Sequence, residues 1–190
     1  MKKYCLALLC ALCCTALLTA CGPSNTIMLV SPSEISPANS AEPSIALVKF
    51  EDKRGKNTLG TRLDKSHFFS ADPVTEWFSK TLADGLNKAG MNVVYVHSVA
   101  EAMKHNPKYL ITGDLDELWM VENSRTSMTA KIRAHFTLAK GDSTVSKEMV
   151  RSERENSNVM FNSSAASKLF DDTMNDFSDV MVEKIRRAVK

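Results

Sequence analysis

Residues 126–140 read TSMTAKIRAHFTLAK, and this stretch decides the fold class. Met128, Ala130, Ile132, Ala134, Phe136 and Leu138 alternate with Thr129, Lys131, Arg133, His135 and Thr137. Successive side chains of a strand point to opposite faces, so strict alternation marks an antiparallel strand with one face buried and one in water. Residues 109–121 form a second long strand, with a turn near Asn123-Ser124. A two-residue turn there sets Leu115 opposite Ile132 and Gly113 opposite Ala134 on the inner face. On the outer face it sets Asp116 opposite Lys131 and Asp114 opposite Arg133, and such cross-strand pairs of opposite charge support the register. Lys140-Gly141-Asp142-Ser143 then turns into a more polar strand at about 144–152, expected at an edge.

Helices and further strands lie on both sides of this meander. Downstream, Leu169, Phe170, Thr173, Met174, Phe177, Val180, Met181, Ile185 and Val189 recur at the spacing of a long amphipathic helix. Upstream, residues 44–50 (SIALVKF) form an apolar run, read as a buried strand. Asp72-Pro73 is a helix start, with Asp as N-cap and Pro at the first helical position. Val74, Trp77, Phe78, Leu82 and Leu86 give the apolar face, and Gly90 the stop. Residues 92–97 make a second strand, which closes a right-handed βαβ unit. Ser98 and Glu101 form the capping box of a short helix ending near Asn106-Pro107. The order is β-α-β-(short α)-β-β-β-α. The expected fold class is α/β, an α+β sandwich in which two main helices pack on one face of a mixed sheet of about five strands. The first strand is expected in the middle, beside the second and third, with Trp77 packed near Ile132 or Phe136.

The chain has 190 residues, 44% hydrophobic and 24% charged, enough for one domain with a real core. Its five cysteines fall at 5, 10, 13, 14 and 21, so nothing after Cys21 offers a thiol. Lys2 and Lys3 account for the formal charge of +2; the remaining 22 basic residues match 22 acidic ones. A balanced chain has no electrostatic reason to seek nucleic acid.

Met1-Lys2-Lys3 followed by the uncharged, mostly apolar residues 4–20 has the form of a secretory signal peptide. The run is marginal for spanning a bilayer, which takes about 20 apolar residues. It ends in Leu18-Thr19-Ala20-Cys21, which resembles the bacterial lipobox. The resemblance implies cleavage before Cys21, a diacylglyceryl thioether on its sulfur and acylation of the new amino group. Two or more acyl chains hold a protein stably on a membrane. Position 22 is Gly, where Asp would signal retention at the inner membrane in enterobacterial-type sorting. The expected location is therefore the outer membrane, facing the periplasm, ahead of the inner membrane or the cell surface. The chain divides into a signal peptide (1–20), a Pro/Ser-rich tether carrying the lipidated Cys21 (21–43) and one α/β domain (44–190). Residues 26–30 are apolar enough to add a short edge strand.

Chemistry-bearing patterns are sparse. His67, His97, His105 and His135 share no metal-ligand spacing. There is no Gly-x-Ser-x-Gly elbow and no glycine-rich loop leading into a helix. Asp114, Asp116 and Glu117 invite a carboxylate-pair reading, but alternation separates Glu117 from the other two, and basic residues on the next strand pair with them. No catalytic residue, metal or cofactor is expected. The long polar connection 51–72 is the least ordinary feature, since structureless connections beyond about 15 residues are usually functional or disordered. It reads either as a hairpin turning at Gly55-Lys56-Asn57 with Asp52 and Arg62 paired across it, or as a partner contact made by Asp52, Arg54 and Arg62.

The lipobox, SIALVKFEDKRG, the downstream Leu59-Gly60-Thr61-Arg62, Trp77, Ala89-Gly90-Met91 and residues 110–115 (LITGDL) together resemble the YajG-type lipoproteins. Those are small outer-membrane lipoproteins of Gram-negative bacteria with a compact α/β body, similar in turn to auxiliary lipoproteins of lipid-transporting ABC systems. The resemblance implies a non-enzymatic envelope lipoprotein, with an envelope protein or a second copy of itself as partner and the membrane held through Cys21. The alternative is a transport accessory that binds an apolar ligand between the last helix and the sheet, lined by Met160, Met174 and Met181.

Overall fold

The computed structural model describes residues 25–42, 44–157 and 162–189. The elements are β1 (Thr26–Ile27), β2 (Ser44–Val48), β3 (Glu51–Asp52), β4 (Thr58–Thr61), β5 (His67–Ser70), α1 (Val74–Lys88), β6 (Asn92–Val96), α2 (Val99–Lys104), β7 (Tyr109–Ser124), β8 (Ser127–Lys140), β9 (Ser143–Ser157) and α3 (Ser163–Ala188). The nine strands among the described residues belong to one open sheet.

The spine of that sheet is β7. One side of it pairs antiparallel with β8, and β8 pairs in turn with β9 at the edge. The other side carries three parallel partners in succession: β2 at Tyr109–Ile111, β3 at Asp114–Leu115 and β4 at Met120–Val121. Next to β2 lies β6, so β2 sits between β6 and β7, the second and third of the expected strands, as expected. Next to β4 come β5 and then β1. The expectation of five strands is corrected to nine. The five expected strands exist; the other four come from residues 26–27 and from the connection 51–72. A 16-residue strand cannot be satisfied by a five-residue neighbour, and β3 and β4 supply partners for the rest of its edge. The hairpin expected at residues 55–57 is absent. The turn lies at residues 62–66, between β4 and β5, where Arg62 N–H and Lys65 N–H close it on Ser66 O and Arg62 O.

Both main helices pack on one face of the sheet, as expected. Trp77, Phe78, Leu82 and Leu86 of α1 meet Phe170, Met174, Phe177, Met181 and Ile185 of α3 in a single buried cluster. Phe78 bridges the layers edge-to-face, with ring centroids 5.1 Å from Phe50 and 5.4 Å from Phe177. Trp77 packs its ring against Phe170 at 6.4 Å, in the cluster that also holds Ile132 and Phe136. On the other face α2 covers β2 and β6 through a small cluster of Ala46, Val48, Val96 and Ala102. Coverage on both faces explains why residues 45–48 are apolar without alternation.

Capping follows the sequence closely. Ser98 Oγ accepts from Glu101 N–H at 3.2 Å, and Glu101 Oε2 accepts from His97 N–H at 2.8 Å. Gly90, at φ +85°, ends α1, and Met91 N–H reaches back to Leu86 O, a Schellman closure. One expectation fails: Pro73, not Asp72, is the cap residue of α1. Asp72 Oδ2 instead accepts Leu29 N–H at 3.2 Å. That bond helps dock the Pro/Ser-rich segment, expected as a tether, along the body. Ile27 and Leu29 are buried, Ser36 donates twice to Asp84 Oδ1, and Asn39 N–H bonds Met91 O.

Candidate functional site

The face of β7 and β8 away from α1 and α3 is the open side of the sheet, and a bulge organises it. The hairpin turns at Arg125-Thr126, with Ser124 opposite Ser127, rather than at Asn123-Ser124. The pairing register shifts between Glu122 and Ser124, and again between Leu115 and Glu117. Asp114 therefore faces His135, Glu117 faces Arg133 and Trp119 faces Lys131, which corrects the pairs expected from an unbroken hairpin. A bulge inserts one unpaired residue and reverses the alternation beyond it. Inward residues run 109, 111 and 115 before it, then 118, 120 and 122 after it. Glu117 thereby joins Asp114 and Asp116 on the open face, against the expected separation. Asp116 Oδ2 lies 2.5 Å from His135 Nδ1, and Glu117 Oε2 lies 3.6 Å from Arg133 Nη1.

Residues 53–57, between β3 and β4, loop out beside this bulge. Asp52 holds the loop: its Oδ1 accepts from Arg54 N–H at 3.1 Å and Nε–H at 2.9 Å, and its Oδ2 accepts from Nη2 at 2.7 Å. This hydrogen-bonded guanidinium keeps the Asp52 carboxyl below the usual carboxylate range. The Arg54 side chain is only 7% exposed, and its Nη1 is buried without a hydrogen-bond partner among the described residues. Leaving such a donor unmade costs about 1–3 kcal/mol, and more for a charged group. Lys56 Nζ sits 4.4 Å over the Trp119 ring, a cation–π contact. Arg54, Lys56, Thr58, Asp116, Glu117, Trp119 and Arg133 enclose an open cleft of about 230 Å³.

Of the three expected contact residues, the structure brings Asp52 and Arg54 together and separates Arg62. Asp52 pairs with Leu115 and Thr61 with Val121, six residues further along β7, or roughly 20 Å at ~3.3 Å per residue. The expected Asp52–Arg62 pair is thus replaced. Arg62 Nε donates to Glu122 Oε2 at 3.2 Å and Nη1 donates to Asn25 Oδ1 at 2.8 Å. Glu122 is buried and also accepts Leu63 N–H. Arg62 therefore ties the β4–β5 turn, β7 and the N-terminal segment together. Cys21 and Met160 lie outside the described residues. Met174 and Met181 are fully buried core. Lys56, Trp119 and Arg133 are cleft residues that sequence reasoning did not single out for a site. Trp119 shares the odd-numbered phase of Gly113 and Leu115, so an unbroken strand would turn it inward; only the bulge brings it to the open face. Among the described residues, no group of three or more His, Cys, Asp or Glu could hold a metal ion, and no helix is long and apolar enough to cross a membrane.

No family model matches the chain, and no curated protein matches its sequence. Solved structures do. A protein of the DUF330 family from Xanthomonas campestris matches at 11% identity and a TM-score of 0.58, over 84% of this chain and 93% of that one. A second, uncharacterised protein matches at 10% identity and a TM-score of 0.55, over 84% of this chain and 99% of its own. The chain shares the fold of these two proteins. A Neisseria meningitidis lipoprotein matches at 14% identity over 72% of this chain and 99% of its own, with a TM-score of 0.39, too low to carry an argument.

Proposed function

We propose that this chain is a bacterial envelope lipoprotein of the YajG type, without enzymatic activity, whose α/β domain serves as an interaction module. The observation that carries the reading is Leu18-Thr19-Ala20-Cys21 at the end of an uncharged apolar run behind two lysines. Acyl chains on Cys21 hold the protein to the outer membrane, and the domain faces the periplasm. The partner is an envelope protein or a second copy of the chain, contacted through Asp52 and Arg54. Their cleft on the open sheet face supports that choice, because its polar groups sit clear of the two packed helices. Arg62 contributes at a distance, by fixing the turn and the segment that leads back toward Cys21. The space between the last helix and the sheet is occupied by Phe170, Met174, Phe177 and Met181, so no observation favours an apolar ligand there.

Lipid attachment is directly measurable. Cys21→Ser removes the sulfur to be acylated, so the variant is expected to stay a full-length precursor lacking acyl mass. Wild-type protein is expected to start at Cys21 and carry that mass, and to fractionate with the outer membrane. An unmodified Cys21 in the intact wild-type mass spectrum would overturn the reading.

A further inference from the structure

We propose that the cleft beside the β7 bulge is a binding site for a carboxylate group, received by Arg54. The proposal rests on the reading of Asp52 and Arg54 as contact residues and names the chemistry they would contact. Three observations carry it. The first is the orphan donor: the Arg54 side chain is only 7% exposed, yet Nη1 has no partner among the described residues. The second is orientation. Asp52 takes Nε and one side of Nη2, which locks the guanidinium plane. The far edge of the fork, Nη1 with the second proton of Nη2, is left as a pair of parallel donors, the arrangement that matches a carboxylate.

The third observation is charge. Arg54, Lys56 and Arg133 line the cleft together with Asp116 and Glu117, and Asp52 is bonded to the near edge of Arg54, so the charges of the site cancel. A monoanion adds the smallest charge to it. A phosphate dianion would set its second charge against the two carboxylates that share the wall. At about 230 Å³ the cleft takes a head group with a short apolar stem and not a lipid chain. Because Nη1 is closed to solvent, uptake requires the wall to give. Lys56 is the part placed to move: it is exposed, follows Gly55 at φ +67°, and is held by the Trp119 ring. Lys56 leaving Trp119 would then report occupancy. The carboxylate could belong to a free small acid or to the end of a polypeptide.

The test is a titration of the acylated protein in detergent, followed through the indole N–H signals of its two tryptophans. Trp119→Phe assigns them. The probes are sodium propionate, acetyl-Gly-Gly and sodium phosphate, each against sodium chloride at equal ionic strength. The expected result is a saturable shift of the Trp119 signal with both carboxylates, no shift of Trp77, and an affinity at least about tenfold weaker in Arg54→Lys, which keeps the charge and loses the fork. Tighter uptake of acetyl-Gly-Gly assigns the carboxylate to a polypeptide end, and equal uptake assigns it to a free acid. No saturable shift with either carboxylate in the wild type overturns the proposal, as does saturation by phosphate alone. The titration needs no partner, so its failure and that of the contact reading are separable. Partner crosslinks without carboxylate uptake reject the ligand chemistry alone; uptake without crosslinks rejects the contact reading alone.

Discussion

Gly60→Ala is expected to abolish the native sheet. A Cβ at this position would lie 1.9 Å from Met120 O, 2.7 Å from its carbonyl carbon and 2.9 Å from its nitrogen. All three are backbone atoms of β7, so no side chain can swing aside to make room. The only relief is separation of β4 from β7. That would expose fully buried Leu59 and pull Arg62 away from Glu122. Such losses belong in the exceptional class of point mutations, above about 4–5 kcal/mol. Urea unfolding followed by circular dichroism reads the outcome. A cooperative transition within about 1 kcal/mol of wild type would show that the two strands do not approach as described. Gly55→Ala is the control. Gly55 has a positive φ of +67°, but a Cβ there would meet nothing within 4 Å among the described residues, so backbone strain alone should cost about 1 kcal/mol.

Arg62→Ala should lose about 3–5 kcal/mol, the usual result of removing one partner from a buried ion pair. The variant leaves Glu122, 8% exposed, with Leu63 N–H as its remaining donor among the bonds described. Most of that cost is an uncompensated carboxylate rather than lost attraction. Arg62→Ala combined with Glu122→Gln should therefore recover the larger part of it. Loss of the Arg62–Asn25 bond should also speed amide exchange in residues 26–30, and the double variant should not repair that. A cost below about 1 kcal/mol would place the pair in water.

These two residues belong to the stretch Leu59-Gly60-Thr61-Arg62, which carried part of the family resemblance, and the structure gives each a packing reason. The long strands, both main helices, the Ser98 cap and the Gly90 stop were legible because each follows a period or a capping rule over enough residues. Of the short strands, β1 was legible as an apolar run at a sheet edge. Those of the connection 51–72 were not, since alternation needs more positions than they have. β3 and β4 follow from the length of β7, whose far half would otherwise leave unpaired backbone groups. The register was misread because bulges leave no mark in an alternating pattern except a change of phase. Between Leu115 and Leu118 that change is visible, once the strand is known to extend to Ser124. Asp52 and Arg54 were legible as a pair of charges. The burial of Arg54, its orphan Nη1 and the company of Trp119 and Arg133 depend on the bulge and could not be read ahead of it.

The proposed contact between the anchored protein and its partner lies on the open sheet face, at the cleft lined by Arg54. A photocrosslinking residue placed at Lys56, in acylated protein in intact envelopes, tests it most directly. The same residue at Val180, exposed on α3 in the opposite layer, is the control. Crosslinks from position 56, to an envelope protein or to a second copy of the chain, with none from position 180, are the predicted result. Crosslinks from position 180 alone, or from neither position, would contradict it.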